Sequence, residues 1–338
     1  MKFNVGVIGG GLAAQGHIKV YQQEEDVRVA VIAEPNDGLR AKITNLYPDS
    51  RITADYSEIL KDASINLIDI CVPHFLHYPI TMEAFKAGKN VIVEKPIALN
   101  LTEADKMIKE SKRTGCRFFV ALNQRFLPVH QKVKKLLEDG EIGSPFFALA
   151  ICIGDEFQRM SDPHHWKGTW NKAGGGALAD TGTHLVDLMH YFFGEAIAVT
   201  ATSKRLRVSD EKKADDTSTV TIEFKSGVLA EVVVTYAATS DKWSEKKHIY
   251  GNSGSLHVDN DAENPLCLVR DKNDPRIIHI EHDPNWWEYS VRKEIRHFLG
   301  CIRNDREPLV SPEDARRVLE TITLAYLSAR EGKRISRE

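Results

Sequence analysis

The residues that most constrain how this chain can fold are Gly9-Gly10-Gly11-Leu12-Ala13-Ala14. They lie directly behind Phe3–Ile8, an apolar run of strand type, and directly ahead of a helical pattern that begins at Leu12. A strand that passes through a glycine turn into a helix opens a βαβ unit, and with it a parallel sheet. The turn fits G-x-G-x-x-A. Gly9 permits the tight bend, Gly11 lets backbone approach a pyrophosphate, and Ala14 lets helix and strand pack closely. The helix N-terminus offers its open N–H groups to the phosphates. Gly9, Gly11, Leu12, Ala13 and Ala14 are therefore candidates to bind a dinucleotide. A merely flexible turn is the plain alternative, and the strand before and helix after weigh against it.

The same alternation continues. Val27–Ala33, Ile65–Val72, Asn90–Val93 and Arg117–Leu122 read as strands, separated by helical patterns near Asp37 and over Tyr78–Ala87 and Thr102–Thr114. The last of these opens with Thr102-Glu103-Ala104-Asp105, a capping-box pattern. After residue 124 the rhythm changes. Pro128–Asp139 reads as a helix and Phe146–Ile153 as a strand, and Gly174-Gly175-Gly176 precedes one helix ending at Gly194. From Ala196 to Ile280 strands dominate, with a hairpin signal at Lys225-Ser226-Gly227, and helices return near Trp286–Arg303 and Pro312–Arg330. The chain has 338 residues, about two domains' worth. The expected division is an α/β Rossmann domain over 1–124 and an α+β domain over 125–338 with an open, mainly antiparallel sheet. The C-terminal helix is a candidate to pack back on the first domain.

A net charge of −3 gives no reason to expect nucleic acid or an anionic membrane as partner. No apolar run is long enough to span a bilayer. The N-terminus runs straight into a strand pattern, leaving no room for a secretory signal. The five cysteines are dispersed, without a C-x-x-C pair. Together these features set a cytoplasmic location with reduced thiols as the expectation, and no metal site.

Glu34 closes the second strand at about the 20-residue distance from the turn where an acid accepts the ribose hydroxyls of NAD and repels the 2′-phosphate of NADP. A solvated loop acid is the bland reading. Arg40 and Lys42 are close in sequence, so NADP stays open beside NAD.

Val91-Ile92-Val93-Glu94-Lys95-Pro96-Ile97-Ala98 resembles the E-K-P motif of the Gfo/Idh/MocA oxidoreductases, which include glucose–fructose oxidoreductase and inositol dehydrogenase. In the same order follow matches at Cys71-Val72-Pro73-His74-Phe75-Leu76-His77, Ala87-Gly88-Lys89, Gly140-Glu141-Ile142-Gly143 and Gly174–His184, so the resemblance covers nearly the whole chain. It implies an NAD(P)-dependent enzyme that interconverts a hydroxyl and a ketone on a sugar, cyclitol or sugar derivative. It also implies a homodimer or homotetramer built through the C-terminal sheet, and a catalytic set of Lys95, Asp180 and His184.

Oxidising a secondary alcohol needs a base for the hydroxyl proton, tuned near neutral pH. His184 suits that role, since an imidazole titrates near neutrality. Asp180, read as one turn earlier on the same helix, either orients the imidazole or holds a neighbouring hydroxyl. Asp187 extends the polar stripe but reads as a solvated helix face. Lys95, at a strand end before Pro96, would favour an alkoxide-like transition state. A surface lysine is the bland alternative. Pro73, His77, Glu94 and Asn123 complete the candidate cofactor contacts, although His77 reads equally as a cap for the next helix. His165, Trp166 and Tyr236 are weaker substrate-contact candidates, and Trp286-Trp287 reads as packing. Two rival readings stand beside this one. One is an NAD-dependent glycoside hydrolase of the same family, recognisable by turnover without net NADH. The other is a non-catalytic NAD/sugar-binding sensor, against which Lys95, Asp180 and His184 argue.

Overall fold

The structure is a computed structural model and describes residues 2–162, 164–208, 214–240, 242–271 and 273–337. The chain divides into two compact units, Met1–Leu122 with Val291–Arg316, and Asn123–Ser290 with Arg317–Glu338.

Unit one holds a parallel sheet of β1 (Phe3–Ile8), β2 (Val27–Ala33), β3 (Arg51–Thr53), β4 (Leu67–Ile70), β5 (Asn90–Glu94) and β6 (Phe118–Ala121), in the order β3-β2-β1-β4-β5-β6. The connecting helices are α1 (Leu12–Tyr21), α2 (Asp37–Leu46), α3 (Ser57–Lys61), α4 (His77–Lys86) and α5 (Leu101–Thr114). Strands buried on both faces must be continuously apolar, and Val5, Val7, Leu67, Ile68, Ile70, Val91, Ile92 and Val93 are completely buried. Each such side chain contributes about 1.5–3 kcal/mol. Asp69 is the polar exception in β4 and is also fully buried.

Two details differ from the sequence reading. The edge strand β3 was not anticipated, because three residues are too few to show a period. The cap of α5 is Asn100 rather than Thr102. Its side chain accepts the Glu103 N–H at 3.0 Å, and Glu103 reaches back to the Leu99 N–H at 3.2 Å. The reciprocal logic of a capping box is kept, but it sits two residues earlier.

Unit two begins with α6 (Pro128–Glu138) and β7 (Pro145–Ile153), followed by the short helices α7 (Phe157–Ser161), α8 (Trp170–Ala173) and α9 (Ala177–Asp180), then α10 (Gly182–Phe193). The strands β8 (Ala196–Lys204), β9 (Thr217–Phe224), β10 (Leu229–Thr235), β11 (Ser244–Gly251), β12 (Gly254–Asp259), β13 (Leu266–Asp271), β14 (Asp274–Ile277) and β15 (Ile335–Ser336) join β7. They form an open nine-stranded sheet, β14-β13-β12-β11-β7-β10-β9-β8-β15. It is antiparallel except for the β7–β10 pair. The helices α11 (Trp286–Asn304) and α12 (Pro312–Glu331) complete the chain. Most of α11 and the first turn of α12 belong to unit one, where Phe298 stacks on Phe119 at 4.8 Å.

The alternation in Val220–Phe224 and Val228–Val234 suggests a face for a second subunit. The structure turns those side chains the other way. Val220, Ile222, Phe224, Val228, Ala230, Val232 and Val234 are buried in the core of unit two, among Leu185, Leu188 and Met189 of α10. The opposite face carries Phe147, Leu149, Ile151 and Val233, all half-buried.

Candidate functional site

In unit one the sheet order reverses direction at β1 and β4, and ligands of such sheets bind beyond the strand C-termini at that point. Gly9 has φ +100, and a Cβ there would lie 2.2 Å from the Cys71 carbonyl oxygen, so only glycine fits. Its N–H donates to the Ala33 carbonyl. Gly11 caps α1, and a Cβ built on it meets nothing within 4 Å. That open space lies at a helix N-terminus with no side-chain cap, the cradle that a pyrophosphate fills. Leu12 is 68% exposed beside it, Ala13 is half-buried, and Ala14 is sealed against the sheet. Glu34 is buried. Its Oε2 accepts the Gly10 N–H at 2.9 Å and its Oε1 the Asn36 N–H at 2.8 Å. The acid thus braces the glycine turn itself, a role that spacing did not reveal. Arg40 is turned onto the Glu34 and Pro35 carbonyls and the Asp37 carboxylate. These residues fit NAD.

Pro73 leads into a 3-10 turn over His74–Leu76. The His77 ring is fully buried between the Pro96 carbonyl at 2.7 Å and the Val72 carbonyl at 3.0 Å, and burial pushes its pKa down. It ties the loop after β4 to the loop after β5, so any service to a cofactor runs through the backbone it holds. Glu94 ends β5, and its Oε2 accepts the Lys95 N–H at 3.1 Å. Beneath it lies a network that sequence reading missed. His17 of α1 places Nδ1 2.9 Å from Asp69 and Nε2 3.4 Å from Glu94. Tyr21 donates to the same Asp69 oxygen at 2.9 Å, and the Cys71 thiol approaches the other at 3.4 Å. Burial would lower the His17 pKa, but the Asp69 carboxylate and Cys71 outweigh it and hold the imidazole well above its ordinary value. His17, Asp69 and Cys71 offer ligand atoms within 4.8 Å of one another. Burial first, and then Asp69, push the Cys71 thiol far up. Hydrogen bonds join the group across α1 and β4.

In unit two the Gly174–Gly176 turn presents Asp180 and His184. They do not share one continuous helix as the sequence suggests. Asp180 ends the four-residue α9 and His184 lies in the first turn of α10. Between them the Thr181 N–H is shared by the Ala177 carbonyl and the Tyr236 hydroxyl, and the His184 N–H donates to the Thr181 carbonyl at 3.1 Å. Asp180 Oδ2 accepts from Lys167 Nζ at 2.6 Å and from the Tyr236 hydroxyl at 2.8 Å. That hydroxyl is 2.6 Å from Thr181 Oγ1. Tyr236 is therefore a buried support of Asp180. Burial would lower the Lys167 pKa, but Asp180 and then Glu156 raise it above the ordinary value. His165 and Trp166 stand half-buried in the adjoining loop with their rings stacked, centroids 5.9 Å apart. The turn itself is anchored by Asp215, which accepts from the N–H groups of Gly176 and Leu178 and from the hydroxyls of Ser218 and Tyr326.

Asp187 is neither a site residue nor the solvated face expected of it. It is 1% exposed and paired bidentately with Arg125. Asn123 lies in unit two, where its amide donates to Ser290 Oγ at 2.8 Å. Trp286 packs against the core, whereas Trp287 is 38% exposed.

Residues 3–122 match the NAD-binding Rossmann fold of the Gfo/Idh/MocA oxidoreductases, and residues 134–336 match their C-terminal alpha/beta domain. Myo-inositol 2-dehydrogenase of Thermotoga maritima is 25% identical over 93% of this chain and 92% of its own length. Levoglucosan dehydrogenase of Pseudarthrobacter phenanthrenivorans is 34% identical over 59% of this chain and 53% of its own. A solved levoglucosan dehydrogenase, in complex with NADH and levoglucosan, shares the fold with a TM-score of 0.90 at 24% identity, covering 99% of each chain. With both of its parts matched and its glycine turn shaped for a dinucleotide, the chain belongs to the Gfo/Idh/MocA oxidoreductase family.

Proposed function

We propose that this oxidoreductase interconverts a secondary hydroxyl and a ketone on a sugar, cyclitol or sugar derivative, using NAD in preference to NADP. Two features carry the reading: a dinucleotide cradle at Gly9–Ala14 in unit one, and Asp180 and His184 on a braced turn in unit two. Relatives named as inositol and levoglucosan dehydrogenases give the substrate class. NAD, when bound, supplies the hydride acceptor.

Glu34, gripped by two backbone N–H groups, keeps a further lone pair on each oxygen for a ribose diol and repels a 2′-phosphate. His184 takes the hydroxyl proton during alcohol oxidation. The Lys95 ammonium stabilises the negative charge that grows on the reacting oxygen. Asp180 positions the imidazole or the substrate. Pro73, Glu94 and Asn123 are contacts to the cofactor, and His165 and Trp166 contacts to the substrate.

The test is a screen of polyols, aldoses and nucleotide sugars with NAD and NADP, followed by absorbance of the reduced cofactor. On the best substrate His184→Ala should lower kcat by roughly 10²–10⁴-fold, the usual worth of a positioned base, with NAD affinity nearly intact. The pH dependence of kcat should lose its acid-side limb. A near-wild-type kcat with an unchanged pH profile would move the base to Lys95 or His165.

A further inference from the structure

Resting on the dehydrogenase reading, we propose that Lys167 is a positioning residue for the reaction: its ammonium, together with the Tyr236 hydroxyl, clamps one oxygen of Asp180 and so fixes the orientation and charge of the carboxylate. No motif points to this lysine. It sits in a 3-10 turn, Trp166–Gly168, in a different segment from the helices that carry Asp180 and His184.

The geometry is specific. Lys167 Nζ and the Tyr236 hydroxyl meet the same atom, Asp180 Oδ2, at 2.6 and 2.8 Å. Two donors from separate segments thus converge on a single carboxylate oxygen. Tyr236 is fixed in turn by Thr181, the residue that links Asp180 to the helix of His184. The pair is sheltered, with side-chain exposure of 21% for Lys167 and 10% for Asp180. An exposed lysine–carboxylate pair is worth little, whereas a sheltered, charge-assisted contact is shorter and stronger.

Lys167 also connects the clamp to the loop. Its backbone N–H donates to His165 Nδ1 at 3.3 Å, and the His165 ring stacks with Trp166. Asp180, Glu156 and Arg159 are charged groups that act on the ammonium, which in turn acts on His165. Tyr236 adds its buried phenol, whose pKa burial raises further still. The loop that carries the two substrate-contact candidates is thereby latched to Asp180, at the end of α9. Misplacing a reacting group by about 1 Å can cost roughly 10²-fold in rate, so a latch at this point acts on the chemical step.

The experiment uses the intact protein and the best substrate from the screen. Lys167→Met should lower kcat by roughly 10–100-fold while KM and the affinity for NADH stay within about threefold, the pattern of an interaction that matters in the transition state. Lys167→Arg should recover most of the loss. In an Asp180→Asn background the same Lys167→Met change should cost less than about twofold, because the clamp has nothing left to hold. Tyr236→Phe removes the second donor to Oδ2 and should also lower kcat, which keeps the test open if the lysine variant folds poorly. Wild-type kcat in both Lys167→Met and Tyr236→Phe would overturn the proposal. So would an undiminished Lys167→Met loss in the Asp180→Asn background. A wild-type protein that oxidises no polyol or sugar with either cofactor would instead remove the dehydrogenase reading, and the clamp with it.

Discussion

Asp69→Asn should be the most costly single-atom change in unit one, and the cost should depend on pH in a direction the structure dictates. Asp69 is fully buried in β4 and takes hydrogen bonds at 2.9 Å from both His17 Nδ1 and the Tyr21 hydroxyl. His17 is equally buried. Removing one partner of a buried ion pair costs about 3–5 kcal/mol, because the other charge stays inside without compensation. The variant recovers part of that by losing the imidazole proton, and a neutral His17 still donates to the asparagine carbonyl. The lower end, ~3 kcal/mol, is therefore expected. At roughly 2–4 °C per kcal/mol for domains of about 150–250 residues, the unfolding midpoint of unit one should fall by about 6–12 °C.

The sign with pH follows from the raised pKa of His17. In the wild type its stabilisation is complete below the unfolded value of 6.5 and fades as pH rises through the higher folded value. In the variant burial acts without Asp69, the folded value falls below the unfolded one, and stability increases as pH rises toward neutrality. The gap between the two proteins should thus be wide at pH 6 and narrow by pH 9. All five tryptophans belong to unit two, so intrinsic fluorescence follows the wrong unit. Thermal unfolding followed by far-ultraviolet circular dichroism, with hydrogen exchange in peptides covering α1 and β4, reports on the right one. A midpoint shift under about 2 °C, or a gap that widens from pH 6 to pH 9, would show that His17 is neutral in the native protein and that Asp69 is an ordinary acceptor.

Three further outcomes follow from named contacts. Glu34→Ala should weaken NAD by roughly tenfold, about 1.4 kcal/mol, and narrow its preference over NADP in binding titrations; a wild-type preference for NADP that survives the substitution refutes the role given to Glu34. Asp187→Ala should destabilise unit two by about 3–5 kcal/mol in thermal unfolding, since it strands the buried Arg125 guanidinium, while residual folded enzyme keeps its KM. Ile151→Arg, on the half-buried outward face of the nine-stranded sheet, should reduce the particle mass in sedimentation if that face joins two copies, as the family resemblance implies; a wild type that sediments as a monomer at every concentration removes this expectation.

What the sequence made legible divides along physical lines. Gly9 could be read because a left-handed φ and a crowded Cβ position demand glycine, and that demand is local, while Gly11 could be read because backbone must approach a pyrophosphate there. The strands of unit one could be read because burial on both faces leaves continuous Val and Ile. Asp180 and His184 were legible as residues only through their resemblance to a family pattern. Their helix break was not, because it depends on the Tyr236 hydroxyl sharing the Thr181 N–H from 55 residues away. The polar stripe with Asp187 misled for the same reason. A helical face looks solvated in sequence whether water or a buried arginine covers it, and Arg125 lies 62 residues away.

The contacts that organise the candidate site are thus the long-range ones, and they share a design. Buried or sheltered carboxylates collect donors from separate segments: Glu34 braces the glycine turn, Asp69 gathers α1 onto β4, Asp215 anchors the turn before α9, and Asp180 is held by Lys167 and Tyr236. A carboxylate has about four acceptor positions and no donor, so one side chain can satisfy several otherwise orphaned N–H and O–H groups at once. That makes it an efficient joint where a loop must be rigid without regular secondary structure. It also explains why such residues escape a reading by period or motif. A lone Asp in a polar stretch carries no mark of the donors that the fold will bring to it, and at Asp180 those donors come from residues 13 and 56 positions away.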